Sequence, residues 1–284
     1  MTTLADLPTL KHTIDAHGLA TKKSLGQHFL LDANIIRRIA SYAGDMEGVT
    51  AIEIGPGPGG LTRALLESPA KHVVVVEKDE RCLPIMRQLQ FIVGDRITIV
   101  EADALKHDLL HYPAPRKIVS NLPYNVGTEL LIRWLEQIAQ DSGAYASMTL
   151  MFQKEVAERI TAEHGSKEYG RLSVFAQWLC EIRYDMELPP GAFSPPPKVS
   201  SAVITLTPRK APLFPAKKDT LEKLLLKAFG QRRKMLRSAL KGITPDVEAM
   251  LREAGIEPTL RAEQVEVAGF GRMAAVLDRL DELK

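Results

Sequence analysis

The chain has 284 residues, 45% hydrophobic and 25% charged, which supports a sizeable core in a protein of one large or two unequal domains. A formal net charge of +2 excludes a globally cationic nucleic-acid binder, so any contact with nucleic acid must come from local clustering. Two isolated cysteines, Cys82 and Cys180, exclude a disulfide framework, and the seven scattered histidines carry no metal-ligand spacing, so no metal is expected.

Residues 9–17 are predicted helical, with Pro8 near the start and Gly18 just past the end. A loop with Lys22 and Lys23 leads into Gly26-Gln27-His28-Phe29-Leu30, and Asp32 can cap a helix through Ile35, Ile36 and Ile39. An alternation follows. Strands are expected at Thr50–Ile54, His72–Glu77 (with four consecutive valines), Arg96–Glu101, Lys117–Asn121 and Ser147–Phe152. Helices are expected at Leu61–Leu66, Glu80–Gln90, about Thr128–Gln137 and Glu155–Ala162. Strand–helix alternation of this kind makes a parallel, Rossmann-like α/β sheet with helices on both faces. Glu181–Glu187 and Val199–Thr207 are then expected to form an antiparallel pair at the sheet edge, separated by the rigid Pro189–Pro197 stretch. From about Lys210 the periodicity is helical in segments 219–228, 230–241, 246–254 and 269–283. The expected domains are therefore 1–209, with an N-terminal extension 1–25, and an all-helical 210–284. No apolar run reaches the ~18 residues that cross a bilayer, and Met1 to Lys23 holds no apolar leader core, so a cytoplasmic chain without a membrane contact is expected.

The first strand runs into Glu53-Ile54-Gly55-Pro56-Gly57-Pro58-Gly59-Gly60. Glycines after a strand let the backbone turn sharply and approach a ligand. The G-x-G-x-x-G match of Gly55, Gly57 and Gly60 is equally compatible with a nicotinamide dehydrogenase. Glu77 ends the next strand about 20 residues on, where an acid accepts bonds from ribose hydroxyls. Asp103, after the third strand, can accept from an adenine amino group. Three strand ends offering Gly, Glu and Asp form one crevice at a topological switch point.

Asn121-Leu122-Pro123-Tyr124 follows the fourth strand and opens onto the same crevice. It fits the signature of enzymes that methylate N6 of adenine and related amino groups. The N6 lone pair is delocalised into the ring. Two acceptors aimed at its N–H bonds, the Asn121 side-chain oxygen and the Leu122 carbonyl, favour a pyramidal nitrogen and release that pair. Pro123 holds Leu122 extended, and Tyr124 offers a flat face to an extruded base. Phe193, steadied by Pro195–Pro197, can cover the other face; without that role, a lone Phe between strands belongs to the core.

Across nearly its whole length the sequence resembles the ribosomal RNA adenine dimethyltransferase family. The shared stretches are Gly26–Leu30, Glu53–Thr62, the strand ending at Glu77, Asn121–Tyr124, Phe152–Arg159, Phe193–Val203 and Phe229–Leu240. Tyr169–Val174 and Phe229–Lys234 resemble the bacterial small-subunit branch rather than the large-subunit resistance branch. The resemblance implies an S-adenosylmethionine-dependent methyltransferase sheet, with His28, Leu30, Gly55, Glu77, Asp103 and Asn121 contacting S-adenosylmethionine. His28 stands where many members carry Asn. The implied product is N6,N6-dimethyladenosine at two adjacent adenosines near the 3′ end of 16S RNA, with a small-subunit assembly intermediate as partner. A monomer is expected, apart from the resemblance.

From Lys223 to Lys241 there are seven cations and no Asp or Glu: Lys223, Lys227, Arg232, Arg233, Lys234, Arg237 and Lys241. Arg233, Arg237 and Lys241 recur every four residues, which on one helix makes a stripe able to track RNA phosphates. Lys22 and Lys23 are expected to extend it. The alternative in another class is a non-catalytic RNA-binding assembly factor that retains the fold.

Overall fold

A computed structural model describes residues 3–19 and 28–282; Lys22, Lys23, Gly26 and Gln27 lie outside the described residues. In chain order the first elements are α1 (Leu10–Ala16), β1 (Phe29–Leu30), α2 (Ala33–Ser41), β2 (Thr50–Ile54), α3 (Gly60–Glu67), β3 (His72–Glu77), α4 (Leu83–Val93), β4 (Ile97–Glu101) and β5 (Arg116–Asn121). There follow α5 (Gly127–Gln140), β6 (Ser147–Gln153), α6 (Lys154–Thr161), α7 (Arg171–Leu179), β7 (Cys180–Leu188), β8 (Phe193–Ser194) and β9 (Ser201–Pro208). The chain ends in α8 (Lys218–Gly230), α9 (Leu236–Ala239), α10 (Val247–Glu253) and α11 (Val267–Glu282).

The main sheet has seven strands in the order β4-β3-β2-β5-β6-β9-β7. β4, β3, β2, β5 and β6 are parallel, and β9 pairs antiparallel with β6, so the expected antiparallel edge is present. Val73 to Val76 of β3 are each at most 1% exposed, so both faces of this strand are covered and a run of valines replaces the usual alternation. On one face Ala51, Val73, Val75, Val119, Met151 and Val203 pack with Leu10, Ile36, Leu65 and Met86 from α1 to α4. Asp32 caps α2 as its spacing predicts, its Oδ1 accepting from Asn34 N–H at 2.8 Å and Ile35 N–H at 3.2 Å. The strand order reverses beside β2, between β3 and β5, which opens a crevice at the carboxyl ends.

The chain forms two compact units, Met1–Ala157 with Arg183–Pro208, and Glu158–Ile182 with Arg209–Lys284. A single cut at 209 differs from this, because residues 158–182 cluster with the C-terminal helices. The cause is α7, which sequence periodicity does not reveal. Ser173, Val174, Phe175, Ala176, Trp178 and Leu179 are all buried, leaving almost no polar stripe for a pattern to register.

The helix expected over 230–241 is also corrected. α8 continues to Gly230 and stops at Gln231 (φ −126°, ψ 53°), and only Leu236–Ala239 is helical beyond it. Met235 forms an isolated antiparallel bridge with Arg261. Leu236 N–H donates to Leu260 O and Arg237 N–H to Pro258 O. The backbone bonds that a continuous helix would make at this point go to another segment, so Arg233, Arg237 and Lys241 do not share one helix face.

Within the second unit the Trp178 indole N–H donates to Phe214 O at 2.8 Å, and the two rings stack with centroids 5.9 Å apart. Gly271 of α11 lies directly beneath the Phe214 ring, and a Cβ there would fall inside the ring's van der Waals envelope. Gly271→Ala is expected to destabilise the protein by about 1–3 kcal/mol through overpacking, measured as a lower urea midpoint. An unchanged midpoint would mean that Phe214 moves aside freely.

Candidate active site

The crevice is built from strand ends. β2 ends at Ile54, and Gly55, Gly57 and Gly59 all take positive φ (65°, 54° and 83°), the last as the left-handed N-cap of α3. Only glycine adopts this chain of turns without strain. A Cβ at Gly57 would lie 3.0 Å from the Phe29 ring, and one at Gly55 3.5 Å from Pro123. The backbone thus runs close beneath both the β1 segment and the loop after β5.

Glu77, at the end of β3, is 6% exposed. Its carboxylate accepts Gly57 N–H at 3.2 Å and Asp79 N–H at 2.7 Å. Burial pushes its pKa up, and the backbone N–H groups oppose that rise. Asp103, just past β4, accepts Leu105 N–H at 3.1 Å and pairs with Lys78 at 2.8 Å. The Lys78 ammonium holds the Asp103 carboxyl below its ordinary value. The crevice therefore presents one buried acid braced by backbone and one ionised acid at its rim.

The residues Asn121–Tyr124 follow β5. The Asn121 amide donates weakly to His28 O at 3.4 Å. Neither its Oδ1 nor the Leu122 carbonyl accepts a hydrogen bond among the described residues. The Tyr124 hydroxyl and Ser201 Oγ lie 2.5 Å apart, and the Tyr124 ring stands 5.6 Å from His28, tilted by 30°. His28 Nδ1 bonds Pro195 O at 2.9 Å, tying the β1 entry to the proline run.

These parts enclose a cavity of about 270 Å³. All six residues that the resemblance connects with S-adenosylmethionine (His28, Leu30, Gly55, Glu77, Asp103, Asn121) line it, together with Leu122, Pro123 and Tyr124. Phe193 does not. It is 5% exposed, pairs across β8 with Leu30 of β1, and belongs to the hydrophobic cluster. Leu30 lines the cavity, so Phe193 stands one strand behind the wall. Lys78, Phe29 and Leu105 also line the cavity without having been singled out from the sequence. Lys78 is adjacent to Glu77 in the chain, but an exposed lysine at a strand end carries no pattern that marks it.

The cationic run lies in the second unit, and its members are not equivalent. Arg232 pairs with Glu263 at 3.0 Å and Arg237 with Glu248 at 3.8 Å, while Lys227 donates to Lys241 O at 3.0 Å. Lys223, Arg233 and Lys234 are exposed and have no acidic partner among the described residues.

The sheet order, its antiparallel β9 and the crevice at the switch point define a Rossmann-like methyltransferase of the S-adenosylmethionine-dependent class. A family model described as "Ribosomal RNA adenine dimethylase" matches residues 18–279. The chain belongs to the ribosomal RNA adenine dimethylase family. It is 54% identical over 279 residues to the "Ribosomal RNA small subunit methyltransferase A" of Jannaschia sp. (strain CCS1), covering 98% of this chain and 96% of that one. It is 52% identical over 280 residues to the protein of the same name from Ruegeria pomeroyi, covering 98% and 100%. Among solved structures, a dimethyladenosine transferase from Plasmodium falciparum shares the fold with a TM-score of 0.77 at 23% identity, covering 89% of this chain and 98% of that one. The 23S rRNA methyltransferase ErmE has a TM-score of 0.68 at 28% identity, covering 88% and 99%. The family match removes the dehydrogenase alternative for the glycine pattern. No helix among the described residues is long and apolar enough to cross a membrane.

Behind the glycine turn, Glu53 is 2% exposed and accepts the Thr62 hydroxyl at 2.6 Å. Burial pushes its carboxyl from 4.5 up to about 8, the Thr62 bond opposes this, and Glu77 adds to it. Such an acid takes up a proton on folding, so its contribution is whole below about pH 4.5 and is lost as pH rises toward about 8. Glu53→Gln keeps an acceptor for Thr62 and cannot ionise. Its urea stability should gain on the wild type between those pH values by an amount on the order of 1–3 kcal/mol. Parallel stability curves would show that Glu53 ionises freely in the folded protein.

Proposed function

We propose that this protein transfers methyl groups from S-adenosylmethionine to N6 of two adjacent adenosines near the 3′ end of 16S RNA, giving N6,N6-dimethyladenosine during small-subunit assembly. The observation that carries this is the pair of acceptors, Asn121 Oδ1 and Leu122 O, uncommitted among the described residues, at the edge of a crevice walled by Glu77 and Asp103. Family membership and relatives named for small-subunit methylation support the same substrate. The work belongs to the cytoplasm, where subunits are assembled, and one chain carries the whole crevice, as a monomer requires.

The donor set fits the cofactor. Glu77 suits ribose hydroxyls, Asp103 an adenine amino group, and the backbone at Gly55 a close approach that a side chain would block. His28 and Leu30 close the side formed by β1. When bound, S-adenosylmethionine supplies a methyl group made electrophilic by its sulfonium.

The chain's own task is alignment. Asn121 Oδ1 and Leu122 O accept the two N6–H bonds and turn the nitrogen lone pair out of the ring plane. Pro123 keeps the Leu122 carbonyl from swinging away. Tyr124, held by Ser201, stacks on one face of the extruded adenine. Phe193 covers the other face only if the β1–β8 pair gives way locally, so Tyr124 is the principal stacking surface. No strong base is required, because the nitrogen becomes acidic once alkylated. Arg233 and Lys234, with Lys223 and Lys241, meet RNA phosphates, while Arg232 and Arg237 are partly neutralised by Glu263 and Glu248. Lys22 and Lys23 are proposed to extend this contact. A non-catalytic assembly factor would have no use for two acceptors left open among the described residues beside an acid-lined crevice.

The test is transfer of labelled methyl groups from S-adenosylmethionine to undermethylated small subunits, followed by digestion and identification of the nucleosides. Wild type should yield labelled N6,N6-dimethyladenosine. Asn121→Ala should slow transfer by about 100-fold or more with an unchanged urea midpoint. Near-normal turnover of that variant would refute the two-acceptor mechanism.

A further inference from the structure

Two stretches that resemble the small-subunit branch, Tyr169–Val174 and Phe229–Lys234, are about 60 residues apart in the chain, yet the second unit packs them together. The Tyr169 and Phe229 rings meet edge to face, with centroids 5.9 Å apart. Arg232 donates to the Lys167 carbonyl and pairs with Glu263 at 3.0 Å, while Gly165 N–H donates to Glu263 O at 2.6 Å. One guanidinium thus clasps the loop 164–171 to the turn 231–234, and Lys234 N–H closes that turn on Gln231 O at 2.8 Å. Lys167, Arg171, Arg233 and Lys234 are exposed and have no acidic partner among the described residues.

Arg171 is the first residue of α7, whose first turn has no acid. A cation at that end opposes the helix dipole, so the residue gains nothing from its own helix. Glu163 and Glu168 are exposed on the same loop, so the loop alone is not cationic. Its attachment to Arg233 and Lys234 is what makes the combined surface attractive to polyanions.

We propose that loop 164–171 and turn 231–234 form a single surface gripping RNA phosphates, in which Lys167 and Arg171 contact phosphate alongside Arg233 and Lys234, and Arg232 is a positioning residue. This rests on the RNA-methylating function proposed above. The division of labour follows from geometry. Arg232 commits two of its five N–H donors, and its charge, to a carbonyl and a carboxylate of its own chain, whereas Arg233 and Lys234 have no acidic partner among the described residues.

The experiment uses the full chain and a labelled RNA fragment from the 3′ end of 16S RNA, with Kd measured across a salt series. Lys167→Gln with Arg171→Gln should weaken binding and lower the slope of log Kd against log salt by about 2, with S-adenosylmethionine binding unchanged. Arg232→Lys keeps the charge but not the fork, and should still weaken binding by about fivefold or more. Wild-type affinity in Arg232→Lys would overturn its positioning role. An unchanged slope in the Lys167/Arg171 variant, while Arg233→Gln with Lys234→Gln lowers it, would overturn the joint surface and leave the proposed function standing. If neither double variant changes the slope, RNA binding by this unit is itself refuted.

Discussion

Glu77 is a buried carboxylate at a strand end, and burial without partners would make it costly. Backbone N–H groups of Gly57 and Asp79 meet it instead. Gly57 can do so only because the chain turns through three positive-φ glycines before entering α3. That one arrangement locks the ends of β2 and β3 together and sets the direction in which α3 leaves. The cavity wall, the close approach at Gly55 and the seat of Pro123 against it all depend on this constraint.

Two opposite electrostatic demands are met in different places. The crevice concentrates Glu77, Asp79 and Asp103, with Lys78 the only lysine or arginine among the residues that line it, while burial keeps the Glu53 carboxyl behind the turn protonated to about pH 8. Such a site favours a ligand that carries positive charge, as a sulfonium does. The second unit carries exposed cations with no acidic partner among the described residues, a surface that attracts polyanions. A net charge of +2 is the residue of these two local excesses, which is why the bulk charge says so little about the partners.

Within the cationic run, chain proximity does not mean shared duty. Arg232, Arg233 and Lys234 are consecutive, but the turn aims Arg232 back at Glu263 and Lys167 O while its neighbours face outward. A continuous helix would have grouped Arg233 with Arg237 and Lys241. The bridge between Met235 and Arg261 interrupts it and regroups the charges.

The parallel strands, their order of appearance and the crevice residues were legible from the sequence, because each rests on local chemistry. Buried strands read as runs of β-branched residues, glycines mark the turn, and Asp32 caps the helix it precedes. Gly55, Glu77, Asp103 and Asn121–Tyr124 each stand at a strand's carboxyl end, so a list of strands was enough to bring them together. Tertiary structure alone decided the rest. α7 is buried almost all round and so shows no amphipathic period. The two-residue β1–β8 pair is too short to signal itself, yet it moves Phe193 from the cavity into the core. The segment after α8 has helical periodicity, but its backbone donors at Leu236 and Arg237 find carbonyls at Leu260 and Pro258, long-range partners that outweigh a local preference for helix.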